Sequence, residues 1–301
     1  MLQSLDSAIN PRTFDKLCDS RYYDVCESWF DKTFTDPEER ALLDNARLIQ
    51  DMMQLSICFW DLSPMTDQQI ISVFADLLLV FIVDDWYKTL TEFTINAIMD
   101  NAYEDREGLT LAERLTLKLL REIRSHSVEE TFGYSRSYFL EWLHMSKFEE
   151  MLCKLPKNCP DVYYRGRTSW AGASTIYITA FTSPQIKAWV DALKCHPEFS
   201  DMIMHLGAFI GVWNDMFSRK KEMNEKININ VYAVVDNEEY IYNYCLSRLK
   251  QMAQCAKCLD NSMPGVQRLS DCLMGIIVWY TTCIRYTWIP LDLTVGGVAN
   301  K

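Results

Sequence analysis

"VWNDMFSRKKEMNE", Val212 to Glu225, starts on apolar residues and ends in charge, the pattern of a buried helix whose last turns run into solvent. Within it Asn214, Ser218 and Glu222 stand at steps of four. Four residues advance about 400° around an α-helix, so each step lands roughly 40° from the one before. The three residues therefore form a column about 12 Å long on one face. All three present oxygen, and an oxygen-only donor set that includes a carboxylate suits a hard cation such as Mg²⁺. Taken alone, the column also fits an ordinary polar helix end, so its meaning depends on the rest of the chain.

Working outward, helical periodicity dominates. Apolar residues recur at spacings of three and four from Asp36 to Trp60, with Pro37 in a first turn after Asp36. "SPMTDQQIISVFADLLLVFIVDDW" opens with a cap at Thr66 or Asp67 and becomes apolar nearly all round. "LTLAERLTLKLLREIRSHS" is amphipathic. Further helices fit "SYFLEWLHMSKFEEML", "SPQIKAWVDALKC", "DMIMHLGAFIGVWNDMFSRKKE", "EEYIYNYCLSRLKQMAQCAKCL" and "QRLSDCLMGIIVWYTTCIRYTW". Loops are expected at 101–108, 155–161, 224–230 and after Pro290. No alternating strand pattern, internal repeat or linker appears, so one large all-α domain over residues 1–301 is expected.

Composition agrees. Ten Gly and nine Pro in 301 residues favour a few long elements over many short strands. A net charge of -11, with "SRKK" (Ser218 to Lys221) as the densest basic patch, argues against nucleic acid as a partner. The longest apolar run, Ile70 to Val83, contains Asp76 and is too short to span a bilayer. The N-terminal stretch has no apolar core of the kind a signal peptide carries, so eleven scattered Cys read as reduced thiols of a cytoplasmic protein. "CAKC" (Cys255 to Cys258) has no second pair or His at zinc-finger spacing.

Three more stretches carry chemistry. "FIVDDWYKT" places Asp84 and Asp85 just after the buried run. Adjacent carboxylates repel, and a helix C-terminus disfavours them further, so solvent or a cation must compensate. "YYRGRTSWAGAS" sets Arg165 and Arg167 beside small residues. In "WYTTCIRYTW", Arg285 and Tyr286 follow an apolar helix and offer a charged and a neutral donor to phosphate oxygen. Each stretch alone has a plain structural reading as a solvated helix end or a salt bridge.

In this order, in an all-helical chain, the four motifs resemble the class I terpene synthase family in its single-domain, microbial-type members. That family carries an Asp-rich motif, an Arg that senses diphosphate, a metal triad written (N/D)DxxSxxKE, and an Arg-Tyr pair near the C-terminus. "NDMFSRKKE" matches the triad throughout, including Lys221 before Glu222. "NINV" (Asn228 to Val231) resembles the Asn-x-Val element that often follows it, and Arg285 stands six residues after Trp279 as in the family. The sequence departs from the family at one place. Lys88 and Thr89 occupy the positions where a third acidic residue usually completes the Asp-rich motif.

The resemblance implies a helical bundle with a central cavity. It also implies metal-dependent ionisation of a linear isoprenyl diphosphate, farnesyl or geranylgeranyl, and cyclisation to a sesquiterpene or diterpene. It assigns Asp84, Asp85, Asn214, Ser218 and Glu222 to metal, three Mg²⁺ ions or alternatively Mn²⁺. Arg167, with Arg165 as its rival, would meet the diphosphate together with Lys221, Arg285 and Tyr286, and Asp84, Arg285 and Tyr286 would be catalytic. Aromatic faces stabilise cations without reacting with them, and Phe59, Trp60, Phe74, Phe81, Phe209 and Trp279 are pocket candidates by position, with ordinary helix packing as the alternative. A trans-prenyltransferase would carry two Asp-rich motifs; here the second position holds the triad, which favours a cyclase. A helical relative that binds diphosphate without turnover is the remaining alternative, kept open by Lys88. The expected assembly is a monomer or homodimer.

Overall fold

The computed structural model describes residues 20–45, 48–60, 62–86, 90, 92–104, 106–152, 160–167, 194–222, 230–259 and 264–282. Among them every regular element is an α-helix. In chain order they are α1 (Ser20–Thr33), α2 (Pro37–Asn45), α3 (Leu48–Phe59), α4 (Asp67–Trp86), α5 (Glu92–Met99) and α6 (Leu111–His126). The second half comprises α7 (Glu129–Leu152), α8 (Pro160–Arg167), α9 (Pro197–Glu222), the single turn α10 (Val231–Val234), α11 (Glu238–Cys258) and α12 (Pro264–Thr282).

Local chemistry sets several starts. The Asp36 carboxylate accepts from the Glu38 N–H at 2.8 Å, so Pro37 opens α2 where a missing N–H costs nothing. Thr66 caps α4: its Oγ1 accepts from the Gln69 N–H while Gln69 Oε1 accepts from the Thr66 N–H. Thr110 and Glu113 form the same reciprocal box on α6, and buried Glu113 also accepts from Thr94 Oγ1 at 2.7 Å, which ties α5 to α6. Pro160 likewise takes a first helical position, so α8 begins inside the stretch expected to be a loop.

Two helices organise the packing. α4 is buried almost all round from Val73 to Val83 and touches α1, α3 and α6. An element apolar on every side has no face to give to water and belongs in the centre. α9 packs along α11 and also against α8 and α12, and α12 returns to lie on α3. The last contact is very close. A Cβ on Gly275 of α12 would stand 1.7 Å from the Cys58 carbonyl oxygen of α3, a separation that only glycine permits. Near it, the Trp279 indole N–H donates to the Asp51 carbonyl at 2.8 Å, pinning α12 to α3 a second time. The space left between α3, α4, α7, α8, α9 and α12 is the site.

Candidate active site

A cavity of about 80 Å³ opens among these six helices. Leu55 and Phe59 of α3, Val80 and Phe81 of α4, Trp142 of α7, Ile210 and Gly211 of α9, and Ile276, Trp279 and Tyr280 of α12 form its walls. Its polar lining is Asp84, Arg167 and Asn214. Asp84 comes from the last turn of α4, Arg167 ends α8, and Asn214 lies on α9, so three separate helices deliver an anion, a cation and an amide to one end of an apolar chamber. Phe81 and Trp279 meet edge to face at 5.9 Å, and Trp279 and Tyr280 at 4.8 Å. This arrangement turns aromatic surface toward the interior.

Behind the polar end lies a buried network. Arg167 donates from Nε to Asp215 Oδ1 at 3.0 Å, and its Nη2 is ion-paired with the same oxygen at 2.7 Å. The same Nη2 donates to Asn214 Oδ1 at 2.9 Å, and Asn214 Nδ2 donates to the Tyr280 hydroxyl at 2.9 Å. Asp215 is fully buried and also accepts from the Tyr163 hydroxyl and, at 3.2 Å, from the Val231 N–H. These donors favour the ionised carboxylate and burial opposes it. Burial prevails and pushes the Asp215 pKa up to about 7, against the pull of Arg167. Burial, reinforced by the Asp215 charge, also raises Tyr163 well above its ordinary range.

Asn230 completes the arrangement. Its Nδ2 donates to the Asp215 carbonyl at 2.7 Å and to Glu222 Oε2 at 2.8 Å, and stands 3.5 Å from Ser218 Oγ. Its Oδ1 accepts from the Tyr232 N–H at 3.1 Å and so caps α10. The lower two members of the Asn-Ser-Glu column thus gather around one amide. The α9 column runs as its spacing predicts, with Asn214 facing the chamber and Ser218 and Glu222 following one turn at a time.

Of the two arginine candidates, Arg167 lines the chamber and is 6% exposed, whereas Arg165 faces solvent. Among the aromatic candidates Phe59, Phe81 and Trp279 are in the wall. The other three are absent from it. Phe74 packs edge to face on Trp29 of α1, Trp60 packs on Phe59, and Phe209 stacks on Trp213 of its own helix. These are packing positions, set by which face of each helix meets a neighbour. The side chains of Asp85 and Lys221, and all of Lys88, Thr89, Arg285 and Tyr286, lie outside the described residues. Sequence reasoning assigned no role to Asp215, Tyr163, Trp142, Asn230 or Tyr280. The signal for Asp215 was its acidic side chain one and two turns after the small and apolar Ala208, Gly211 and Val212 on the same face of α9.

The donor set fits a hard divalent cation. Asn214, Ser218, Glu222 and Asp84 offer oxygen alone, and among the described residues no three His, Cys, Asp or Glu side chains converge into a rival site. A positive group already sits at Asn214 Oδ1, in the form of the Arg167 guanidinium.

Comparison with known proteins gives the family and the fold. The family model described as terpene synthase family 2, C-terminal metal binding, matches residues 77–244. The fold matches 2-methylisoborneol synthase from Streptomyces coelicolor A3(2), solved in complex with Mg²⁺ and 2-fluoroneryl diphosphate, at a TM-score of 0.66. That match has 15% identity and covers 89% of this chain and 93% of the other. Wild-type cucumene synthase matches at TM-score 0.57 with 14% identity over 87% and 95% of the two chains. A hedycaryol synthase in complex with HEPES matches at 0.58 with 13% identity over 87% and 93%. No curated protein sequence matches the chain.

Proposed function

The chain belongs to terpene synthase family 2 and is a terpene cyclase that uses divalent metal, and we propose that it converts farnesyl or geranylgeranyl diphosphate into a sesquiterpene or diterpene. The observation that carries this reading is the division of one cavity into a polar end, made by Asp84, Arg167 and Asn214, and an apolar body walled by Phe59, Phe81, Trp142 and Trp279. A prenyl diphosphate has the same two parts.

In the proposed reaction the bond between the allylic carbon and the diphosphate oxygen breaks, and its electron pair leaves with the diphosphate. Bound Mg²⁺, three ions in this reading and replaceable by Mn²⁺, supplies positive charge that offsets the charge developing there. Asp84, Asn214, Ser218 and Glu222 would hold the ions, with Asp85 beside them. Arg167, joined by Lys221, Arg285 and Tyr286, donates hydrogen bonds that strengthen as the oxygen gains charge. The allylic cation then stays in the apolar body, where Phe59, Phe81, Trp142 and Trp279 exclude water and turn π-faces toward the positive carbon. A distal double bond of the same chain gives its π electrons to the cationic carbon and closes the ring, and the cyclic cation is discharged when a neighbouring carbon passes a proton to the released diphosphate, leaving its C–H electron pair as a new double bond. The whole chain acts as one catalytic domain, a monomer or homodimer of the cytoplasm.

Incubation with the C10, C15 and C20 diphosphates, each with Mg²⁺, Mn²⁺ or excess chelator, tests this. The expected outcome is a cyclic C15 or C20 terpene by gas chromatography–mass spectrometry, with diphosphate released only when metal is present. Release undiminished in chelator, or no release from any of the three, overturns it.

A further inference from the structure

Arg167 Nη2 is shared between two oxygens, Asp215 Oδ1 at 2.7 Å and Asn214 Oδ1 at 2.9 Å. The second of these is a metal-ligand oxygen in the reading above. An amide oxygen that faces a guanidinium hydrogen at this distance cannot at once face a divalent ion along the same direction. Resting-state Arg167 and the metal therefore compete for one atom.

The resting position is built. Asp215 is fully buried and fixes the guanidinium through Nε as well as Nη2, while Tyr163 and the Val231 N–H fix Asp215 in turn. Gly211 makes room: a Cβ there would stand 2.8 Å from Arg167 Cγ and 2.9 Å from its carbonyl oxygen. The Asn214 amide is oriented from its other side by donation to the Tyr280 hydroxyl.

Resting on the metal-site reading, we propose that Arg167 is a built-in placeholder cation at Asn214, held by the positioning residue Asp215, and that metal enters the α9 column only as the guanidinium leaves Asn214 Oδ1. The displaced guanidinium is then beside the chamber, which it already lines, and free to donate to a diphosphate. Metal binding and anion sensing become one exchange. An empty site keeps its charge balance, and bound metal frees the donor that the leaving group needs.

Two substitutions separate exchange from simple repulsion between positive charges. Arg167→Met removes the charge and the fork. Arg167→Lys keeps the charge next to Asp215 but loses the planar fork that reaches two acceptors together. Substrate-free Mn²⁺ binding is followed by electron paramagnetic resonance at about pH 8, with circular dichroism to establish folding. If Arg167 occupies Asn214 in most molecules, removing it tightens apparent affinity by the inverse of the open fraction, at least about fivefold. The proposal expects that tightening in both variants. An Arg167→Lys affinity equal to wild type overturns it whatever Arg167→Met does, and the lysine variant keeps the buried charge paired if the methionine variant fails to fold. Wild-type binding that Glu222→Ala does not weaken overturns the metal-site reading itself.

Discussion

Glu222 and α10 depend on the same amide. Asn230 holds Glu222 Oε2 through Nδ2 and caps α10 through Oδ1, so truncating it frees the proposed metal ligand Glu222 and uncaps a helical turn together. Partners that orient ligands typically matter by 10- to 100-fold in metal affinity, and an N-cap is worth about 1 kcal/mol. Asn230→Ala should therefore raise the Mg²⁺ concentration for half-maximal turnover by roughly 10- to 100-fold and lower unfolding stability by about 1 kcal/mol in urea titration. At the chamber's polar end, Asp84 is exposed, so Asp84→Ala leaves no hole in the core. It should remove most metal-dependent diphosphate release while the melting temperature stays within a degree or two, measured by enzyme-coupled release and circular dichroism. Asp215 behaves differently with pH. Its pKa is raised to about 7 from an ordinary 3.8, so the neutral acid favours the folded state, fully below the ordinary value, and that contribution is lost as pH rises through 7. Asp215→Asn removes the titration. The melting temperature of wild type minus that of the variant should fall between about pH 5 and pH 8; a flat or rising difference would place the folded pKa at or below the ordinary value.

The contact between α3 and α12 sets the position of the chamber's aromatic wall, and Gly275 is where it is tightest. With 1.7 Å between a new Cβ and the Cys58 carbonyl, Gly275→Ala must push the two helices apart. Such overpacking typically costs 1–3 kcal/mol, and a loss of at least about 2 kcal/mol in chemical unfolding is expected here, together with loss of the Trp279–Asp51 hydrogen bond. At Gly211 the new methyl would meet both Cγ and the backbone carbonyl oxygen of Arg167, so the C-terminal turn of α8 must shift together with the guanidinium. Helices were legible from sequence where one face is apolar and the ends carry chemistry. α4, α6, α9, α11 and α12 all fall on expected stretches, and Thr66 proves to be the cap of α4. α5, α8 and α10 were not, because eight or fewer residues give periodicity little room, and α1 was passed over as well. Within the site, the i, i+4 column could be read because one helix carries all of it. The Arg167–Asp215–Tyr163 network could not, because nothing in a sequence says which face of α8 meets which face of α9. The same limit explains Phe74, Trp60 and Phe209. Their chemistry suited a cation, and their helix faces point them elsewhere.

Across the molecule, burial divides the cysteines. Cys26, Cys58, Cys245 and Cys272 are in the core, and loss of water raises each thiol, Cys58 to about 12, while Cys195 and Cys258 are exposed. Thiolate is the reactive form, so maleimide applied near neutral pH and mapped by mass spectrometry should label Cys195 and Cys258 within minutes and reach the four buried thiols only on unfolding. Early labelling of Cys58 would mean that α3 and α12 part readily. All seven described cysteines are free, and among the described residues no helix is long and apolar enough to cross a membrane. The indole of Trp279 is tied to the Asp51 carbonyl and, like that of Trp142, borders the chamber. A hydrocarbon chain entering this space would replace water beside two fluorophores whose emission colour depends on local polarity, one of them orientationally fixed. Trp279 thus makes the chamber optically self-reporting. The spectrum of the intact chain, minus that of Trp279→Phe, should shift to the blue as a non-reacting prenyl analogue fills the space, giving occupancy without turnover and without a label.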